Sequence, residues 1–333
     1  MEYVNCDLCG SDQLEMVTSQ TDRLHGATEE ISQIVRCVLC GLHFTNPRPT
    51  ALEIARYYGS SYSFHAKTPK WRCQLNRFLN AIANSPFAGW ASVFPPLAKS
   101  LVARIKPPIE DPVLRFYKEG AEGSFLDIGC GTGIHAHFWG ADSALQSLKG
   151  RGDVAGVEIS PEARSALTSE GIRCWPDLAS VPSAERFGLI RMNWSLEHVH
   201  SPKEYFSFIA KHLLEDGQAI ITVPNYSGLI YRLAPDCVEL PVHLYHFRPV
   251  DILAYGKQFG LSAVECKTFS YPEMFRAAAS VGLLPQAFPA RLGIAEARVI
   301  LDFLKPMDTL GWGNDMLVVF KKSQFHQKSG DNA

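Results

Sequence analysis

The chain has 333 residues, of which 46% are apolar and 20% charged, a balance that excludes a disordered or fibrous protein. Its formal net charge is −2, which argues against a dedicated nucleic-acid binder, because such proteins carry a basic footprint. The start, Met1 to Cys6, lacks a basic segment followed by an apolar core, and no apolar run reaches about 18 residues. Neither a secretory leader nor a spanning helix is therefore expected, and the nine cysteines read as those of a cytoplasmic protein without a disulfide framework. Residues 1–48 are turn-rich and dense in cysteine, and 50–58 predict a short helix. Leu75, Phe78, Leu79 and Ile82 fall at helical spacing, after which six prolines between Pro86 and Pro112 interrupt any long element. From about residue 121 apolar runs alternate with helical stretches, the pattern of a parallel α/β sheet. Strands are expected at 124–128, 154–159, 172–175, 187–193, 218–223, 261–269 and 315–320, and helices at about 134–149, 250–259 and 272–310. Ser160-Pro161 opens a further helix with a capping serine and a first-turn proline, and Ser201 to Glu204 has capping-box spacing for a helix running to Leu214.

Between the first of these strands and its helix lies Leu126-Asp127-Ile128-Gly129-Cys130-Gly131-Thr132-Gly133. Glycine permits a tight turn and lets a ligand approach a backbone that carries no Cβ. A dinucleotide loop has the form G-x-G-x-x-G, but here the third glycine of that pattern is Ile134. Asp127 is also awkward beside a pyrophosphate and favourable beside an ammonium and a sulfonium. The stretch resembles the first motif of class I methyltransferases that use S-adenosylmethionine. The resemblance implies Asp127, Gly129, Cys130, Gly131 and Gly133 around the methionine part of the cofactor. It places Glu158 at the ribose hydroxyls with Ile159 beside it, and Asp177 and Asn193 further around the cofactor. Glu158 lies 29 positions after Gly129, so 140–152 reads as an insertion. Asp177, after Pro176, is equally an ordinary turn residue.

Three later segments narrow the resemblance: Leu196-Glu197-His198-Val199, Val223-Pro224-Asn225, and Pro241-Val242-His243-Leu244-Tyr245-His246-Phe247. They are similar to those of the methyltransferase branch related to ubiquinone-type O-methyltransferases, whose members often accompany polysaccharide and natural-product pathways. Val242 stands where that pattern more often has arginine. Methyl transfer to an oxygen or carbon acid needs a group that takes the acceptor's proton, and histidine is suited to it. His198, His200, His243 and His246 all follow sheet strands, where open α/β folds bind ligands. His243 is the foremost candidate base. His198 is read with Glu197 as a pocket-wall group and His246 as a packing residue, and both histidines belong with His243 to the catalytic candidate set.

Cys6-x-x-Cys9 and Cys37-x-x-Cys40 are two knuckles, each followed by a glycine, Gly10 and Gly41. Four thiolates form the closed set of a structural zinc site. The continuation Gly41 to Pro49 again resembles the same branch, in which this ribbon precedes the catalytic domain. Finally, 54–109 contains eight basic residues, nine aromatic ones and no carboxylate. Such a stretch suits an anionic acceptor, a peripheral membrane contact, or pairing with the acidic remainder of the chain.

The expected organisation is a zinc ribbon at 1–48, a helical connector at 49–120, a Rossmann-like catalytic domain at 121–322 and a tail at 323–333. Its sheet should have seven strands, the last antiparallel. The expected activity is S-adenosylmethionine-dependent methylation of a small molecule, with a sugar or glycan intermediate favoured over a quinone or a natural-product phenol. A binding adaptor with a non-catalytic fold is the rival of another class, disfavoured by the intact glycine loop.

Overall fold

The computed structural model describes residues 1–24, 26, 28–58, 71, 74, 112–117, 123–135, 141–150, 152–271, 275, 278–279, 281–283 and 305–323. The helical spacing at 75–82, nearly all of the basic stretch, most of 272–310 and the tail lie outside the described residues. In chain order the strands are β1 (Leu14–Gln20), β2 (Ser32–Cys37), β3 (His43–Thr45), β4 (Phe125–Ile128), β5 (Ile134–His135), β6 (Ala141–Asp142), β7 (Val154–Val157), β8 (Arg173–Trp175), β9 (Phe187–Asn193), β10 (Leu213–Pro224), β11 (Tyr245–His246), β12 (Leu261–Phe269) and β13 (Asp315–Lys322). The helices are α1 (Ala144–Leu148), α2 (Pro161–Ser169), α3 (Pro202–His212), α4 (Leu229–Leu233) and α5 (Pro249–Gln258).

The main sheet has seven strands in the order β12-β13-β10-β9-β4-β7-β8. β13, the last in the chain, runs antiparallel to both β10 and β12. The pairs β9–β10, β4–β7 and β7–β8 are parallel. This is the seven-stranded α/β architecture that the sequence predicts. The chain divides into two compact units, Met1–Gly59 with Pro182–Ala333, and Ser60–Val181.

In the first unit, β9 and β10 are central because their apolar residues face both ways: Ile190, Met192, Ile220, Ile221 and Val223 are all buried. Phe206 of α3 stacks on Tyr255 of α5 with ring centroids 5.3 Å apart. α5 approaches β13 through Gly256, where a Cβ would come within 2.2 Å of the Phe320 ring. The N-terminal sheet runs β1-β2-β3-β11, so its fourth strand comes from residues 245–246. There Tyr245 pairs with Phe44 and His246 with His43. The capping box expected at Ser201 does not form, since the Ser201 side chain makes no bond to its own helix. Ser201 Oγ donates instead to Asp7 Oδ1 at 2.9 Å, and Asp7 Oδ2 accepts the Lys203 N–H at 3.1 Å and the Tyr255 hydroxyl at 2.9 Å. A carboxylate at a helix N-terminus is the stronger cap, because it meets both the orphan N–H groups and the positive end of the helix dipole.

In the second unit, Ser160 caps α2 as expected, accepting the Ala163 N–H at 3.2 Å, with Pro161 in the first turn. The single helix expected over 134–149 is instead the small hairpin β5–β6 followed by the five-residue α1. The apolar spacing there extends only over Ala144, Leu145 and Leu148, all buried, which supports little more than one turn.

Candidate functional site

Three clusters hold the residues singled out by the sequence. The first brings Cys6, Cys9, Cys37 and Cys40 together, with all four sulfurs within 4.8 Å of one another. Cys6 Sγ lies 3.4 Å from Cys40 Sγ, and Cys9 Sγ lies 3.5 Å from Cys37 Sγ. Bonds of about 2.3 Å to a tetrahedral zinc would space the sulfurs about 3.8 Å apart, so the four thiols fit that ion by donor type and spacing. Gly10 and Gly41 both adopt φ +79°, which turns the chain so that their N–H groups bond to the Cys6 and Cys37 carbonyls. Burial pushes the Cys40 thiol up to about 11, whereas backbone N–H groups, led by that of Cys40, outweigh burial at Cys37 and bring it down to about 7. Arg248 lies over Gly41, with a guanidinium nitrogen 2.9 Å from where a Cβ would stand, and is held by a two-point ion pair to Asp251. It places a positive charge beside Cys40.

The second cluster is the glycine loop, in the second unit. Gly129, Gly131 and Gly133 all take positive φ, at +77°, +55° and +73°. Among the described residues, a Cβ on Gly131 would meet nothing within 4 Å. Asp127 is the penultimate residue of β4, one before Ile128 ends the strand, and is buried. Glu158 bridges the loop and the start of α2: Oε2 accepts the Gly131 N–H and Oε1 the Ser160 N–H, both at 2.8 Å. Cys130 turns toward the sheet, where its sulfur stands 2.5 Å from where a Cβ on Gly156 would be. Ile159, beside Glu158, is 84% exposed, an unusual position for an isoleucine. Asp177 is exposed and engaged locally, accepting the Ser180 N–H at 2.7 Å, and this bonding lowers its carboxyl below the ordinary value. Asn193 ends β9 and belongs to the first unit.

The third cluster gathers the predicted histidines, in the first unit. Glu197 and His198 are consecutive in a single 3-10 turn, Leu196–His198. One ligand atom from each, with one from His243, lie within 4.8 Å of one another. The His198 and His243 rings meet edge-on at 4.6 Å. His198 Nδ1 donates to the Val242 carbonyl at 3.0 Å and lies 3.2 Å from the Tyr58 hydroxyl. Burial, assisted by His243, lowers the His198 imidazole to about 3, so it is neutral. His243 is buried, with Nε2 3.6 Å from Glu239 Oε2. Glu197 is buried, its carboxyl oxygens have no hydrogen-bond partner on any other described residue, and burial raises it well above the usual carboxylate range. His246 lies in β11, 3.2 Å from Thr45 Oγ1, and its burial lowers it well below the ordinary imidazole value. Thr45 donates its own proton to the His243 carbonyl at 2.8 Å, so His246 and Thr45 lock the segment that carries His243.

The sequence reading passed over four residues here. Glu239 is detectable only as i,i+4 to His243, and Asp7 only as the polar residue inside the first knuckle. Trp194 and Asp315 leave no sequence signal, because chain folding alone brings them together. Trp194, just after β9, is the non-glycine residue with positive φ among the described residues, at +49°. Its Nε1 donates to Asp315 Oδ1 at 2.8 Å, and its ring lies 5.7 Å from Tyr271.

Residues 101–265 match the family model of a methyltransferase domain. A search of curated proteins gives no match. Among solved structures, the chain is similar to a SAM-dependent methyltransferase from Archaeoglobus fulgidus, at 18% identity over 67% of this chain and 94% of that one, with a TM-score of 0.43. It is also similar to an S-adenosylmethionine-dependent methyltransferase from Clostridium acetobutylicum, at 13% identity over 75% and 98%, with a TM-score of 0.38. Likeness of that degree bears on neither acceptor nor mechanism. The domain match and the strand order with its antiparallel last strand define an enzyme of the α/β methyltransferase class. The chain is an S-adenosylmethionine-dependent methyltransferase. Among the described residues no helix is long and apolar enough to cross a membrane.

Proposed function

We propose that this methyltransferase acts on a sugar or a glycan-biosynthesis intermediate, and that the acceptor's proton leaves at the cluster centred on His243. The observation that carries this reading is the concentration of His198, His243, Glu197 and Glu239 at one place. A phenol ionises near the tyrosine value of about 10 and needs little help. A sugar hydroxyl, or a C–H beside a carbonyl, is less acidic and needs dedicated acid–base groups in its pocket. The sequence resemblance to the polysaccharide-associated branch points the same way.

S-adenosylmethionine, when bound, supplies a methyl group on a sulfonium. Asp127, the three loop glycines and Glu158 would hold it: Gly131, with no Cβ, admits close approach, and Glu158 offers a carboxylate to the ribose hydroxyls. Exposed Ile159 gives a purine ring an apolar surface. The four knuckle thiols hold a structural zinc ion, and the basic stretch 54–109 suits an acceptor carrying phosphate, such as a nucleotide-activated sugar.

Radiolabelled methyl transfer to a panel of sugar nucleotides and to a panel of catechols and quinols tests the acceptor. Incorporation into a sugar nucleotide is expected, and it should be lost in His243→Ala while calorimetric binding of S-adenosylmethionine persists. Transfer to phenols alone overturns the reading.

A further inference from the structure

Glu197 is 1% exposed, and among the described residues its carboxyl oxygens have no hydrogen-bond partner beyond the residue's own backbone N–H. An unpartnered buried polar group is costly and is rarely retained without a reason. Two imidazoles face this one, with a ligand atom of Glu197, His198 and His243 all within 4.8 Å of one another. Each ring has one nitrogen near a carbonyl or a carboxylate. His198 donates Nδ1–H to the Val242 carbonyl at 3.0 Å, and His243 has Nε2 3.6 Å from the Glu239 carboxylate. A carbonyl or carboxylate beside one imidazole nitrogen is the kind of partner that orients a histidine binding metal through the other. The 3-10 turn at Leu196–His198 is what allows two consecutive residues to converge on one point.

We propose that Glu197, His198 and His243 hold a divalent first-row transition metal, separate from the four-cysteine site. Two imidazoles and one carboxylate are a donor set of zinc and of non-haem iron, and they leave a coordination position open. Bonds of about 2.0–2.2 Å to a tetrahedral ion place ligand atoms about 3.3–3.6 Å apart, so the cluster would close around the ion by up to about 1 Å. Glu197 and Glu239 supply two carboxylates against the ion's two charges. The inference rests on the proposed function only for what the open position does. There the ion would take the acceptor's oxygen and make its hydroxyl more acidic, the proton passing to solvent water, so that His243 would serve the step as a ligand in place of acting as the base itself.

The test uses the full chain, with metal ions alone as probe. Protein stripped with dipicolinate is titrated with Co²⁺, followed by optical and X-ray absorption. Two equivalents are expected. One shows sulfur-to-cobalt charge transfer, and the other shows nitrogen and oxygen ligands without it. Glu197→Gln should weaken the second equivalent by about tenfold or more and Glu239→Gln by about 10–100-fold, with the sulfur-bound equivalent unchanged in both. A single equivalent with a sulfur-only shell in the wild type overturns the proposal however the variants fold. So does a second equivalent that Glu197→Gln leaves at wild-type affinity. Undiminished transfer to a sugar nucleotide by protein holding only the sulfur-bound ion overturns the metal's role and leaves the acceptor reading standing. A second ion bound as described in a chain that methylates no glycosyl acceptor supports the site and overturns that reading.

Discussion

The carboxylate of Asp7, inside the first cysteine knuckle, accepts the backbone N–H of Lys203 in the first turn of α3, 196 residues along the chain. The knuckle therefore caps a helix that packs on the main sheet through Phe206. Asp7→Ala should destabilise the protein by roughly 1–2 kcal/mol, the usual cost of an N-cap with an added hydroxyl partner, Tyr255, left behind. Asp7→Asn, which keeps an oxygen at the cap, should lose less. Urea unfolding checks both, and an Asp7→Ala variant as stable as the wild type would show that Ser201 resumes the capping role.

Chelation should act over the same distance. If the four thiols hold zinc as proposed, removing the ion takes away the link between the two knuckles of residues 1–48, so β1–β3 should loosen. β11 pairs with β3, and Asp7 sits between two of the ligands, so the loosening should reach 245–246 and the first turn of α3. Hydrogen exchange should show faster exchange at Tyr245 and Lys203 after chelation. Protection at Lys203 that does not change on chelation would mean that the cap survives without the ion.

The cofactor loop gives a third expectation. Glu158 holds the Gly131 and Ser160 N–H groups by charge-assisted bonds, so Glu158→Gln removes the charge and leaves one oxygen to accept from only one of the two N–H groups. S-adenosylmethionine should bind about 10–100-fold more weakly, corresponding to the 1.5–3 kcal/mol typical of hydrogen bonds to a charged group. Calorimetry reads the constant directly, and unchanged affinity would remove Glu158 from the cofactor site.

What the sequence made legible follows from the range of the interactions. The Gly129–Gly133 loop and the two knuckles depend on residues close in sequence, and they form as their spacing predicts. The Ser160 cap is local as well, and it forms. The Ser201 cap has the same local credentials and fails, because a carboxylate from residue 7 outcompetes a hydroxyl from residue 201. Glu197 and His198 read as an unpromising adjacent pair so long as an α-helix is assumed, and a 3-10 turn changes where their side chains meet. Trp194 and Asp315 meet only because β13 inserts beside β10, a relation that no local pattern encodes.

That last pair supports a pH prediction. Burial raises the Asp315 carboxyl to about 7 even though the Trp194 indole N–H donates to it. In the unfolded chain it ionises at its ordinary value of 3.8. Below about pH 4 the group is neutral in both states and has no effect on stability. Between about pH 4 and 7 the unfolded chain ionises while the folded one does not, so stability falls as pH rises, and above about pH 7 the loss stays constant. The ceiling on this loss is roughly 4 kcal/mol, at about 1.4 kcal/mol per pH unit. Asp315→Asn keeps an oxygen for the indole and cannot ionise. It should match the wild type near pH 4 and exceed it in stability near pH 8. Urea unfolding at the two pH values measures the difference, and the indole fluorescence of the wild type should titrate near pH 7 with a component that Asp315→Asn lacks. Parallel stability profiles for the two proteins would mean that Asp315 ionises in the fold as freely as it does in water.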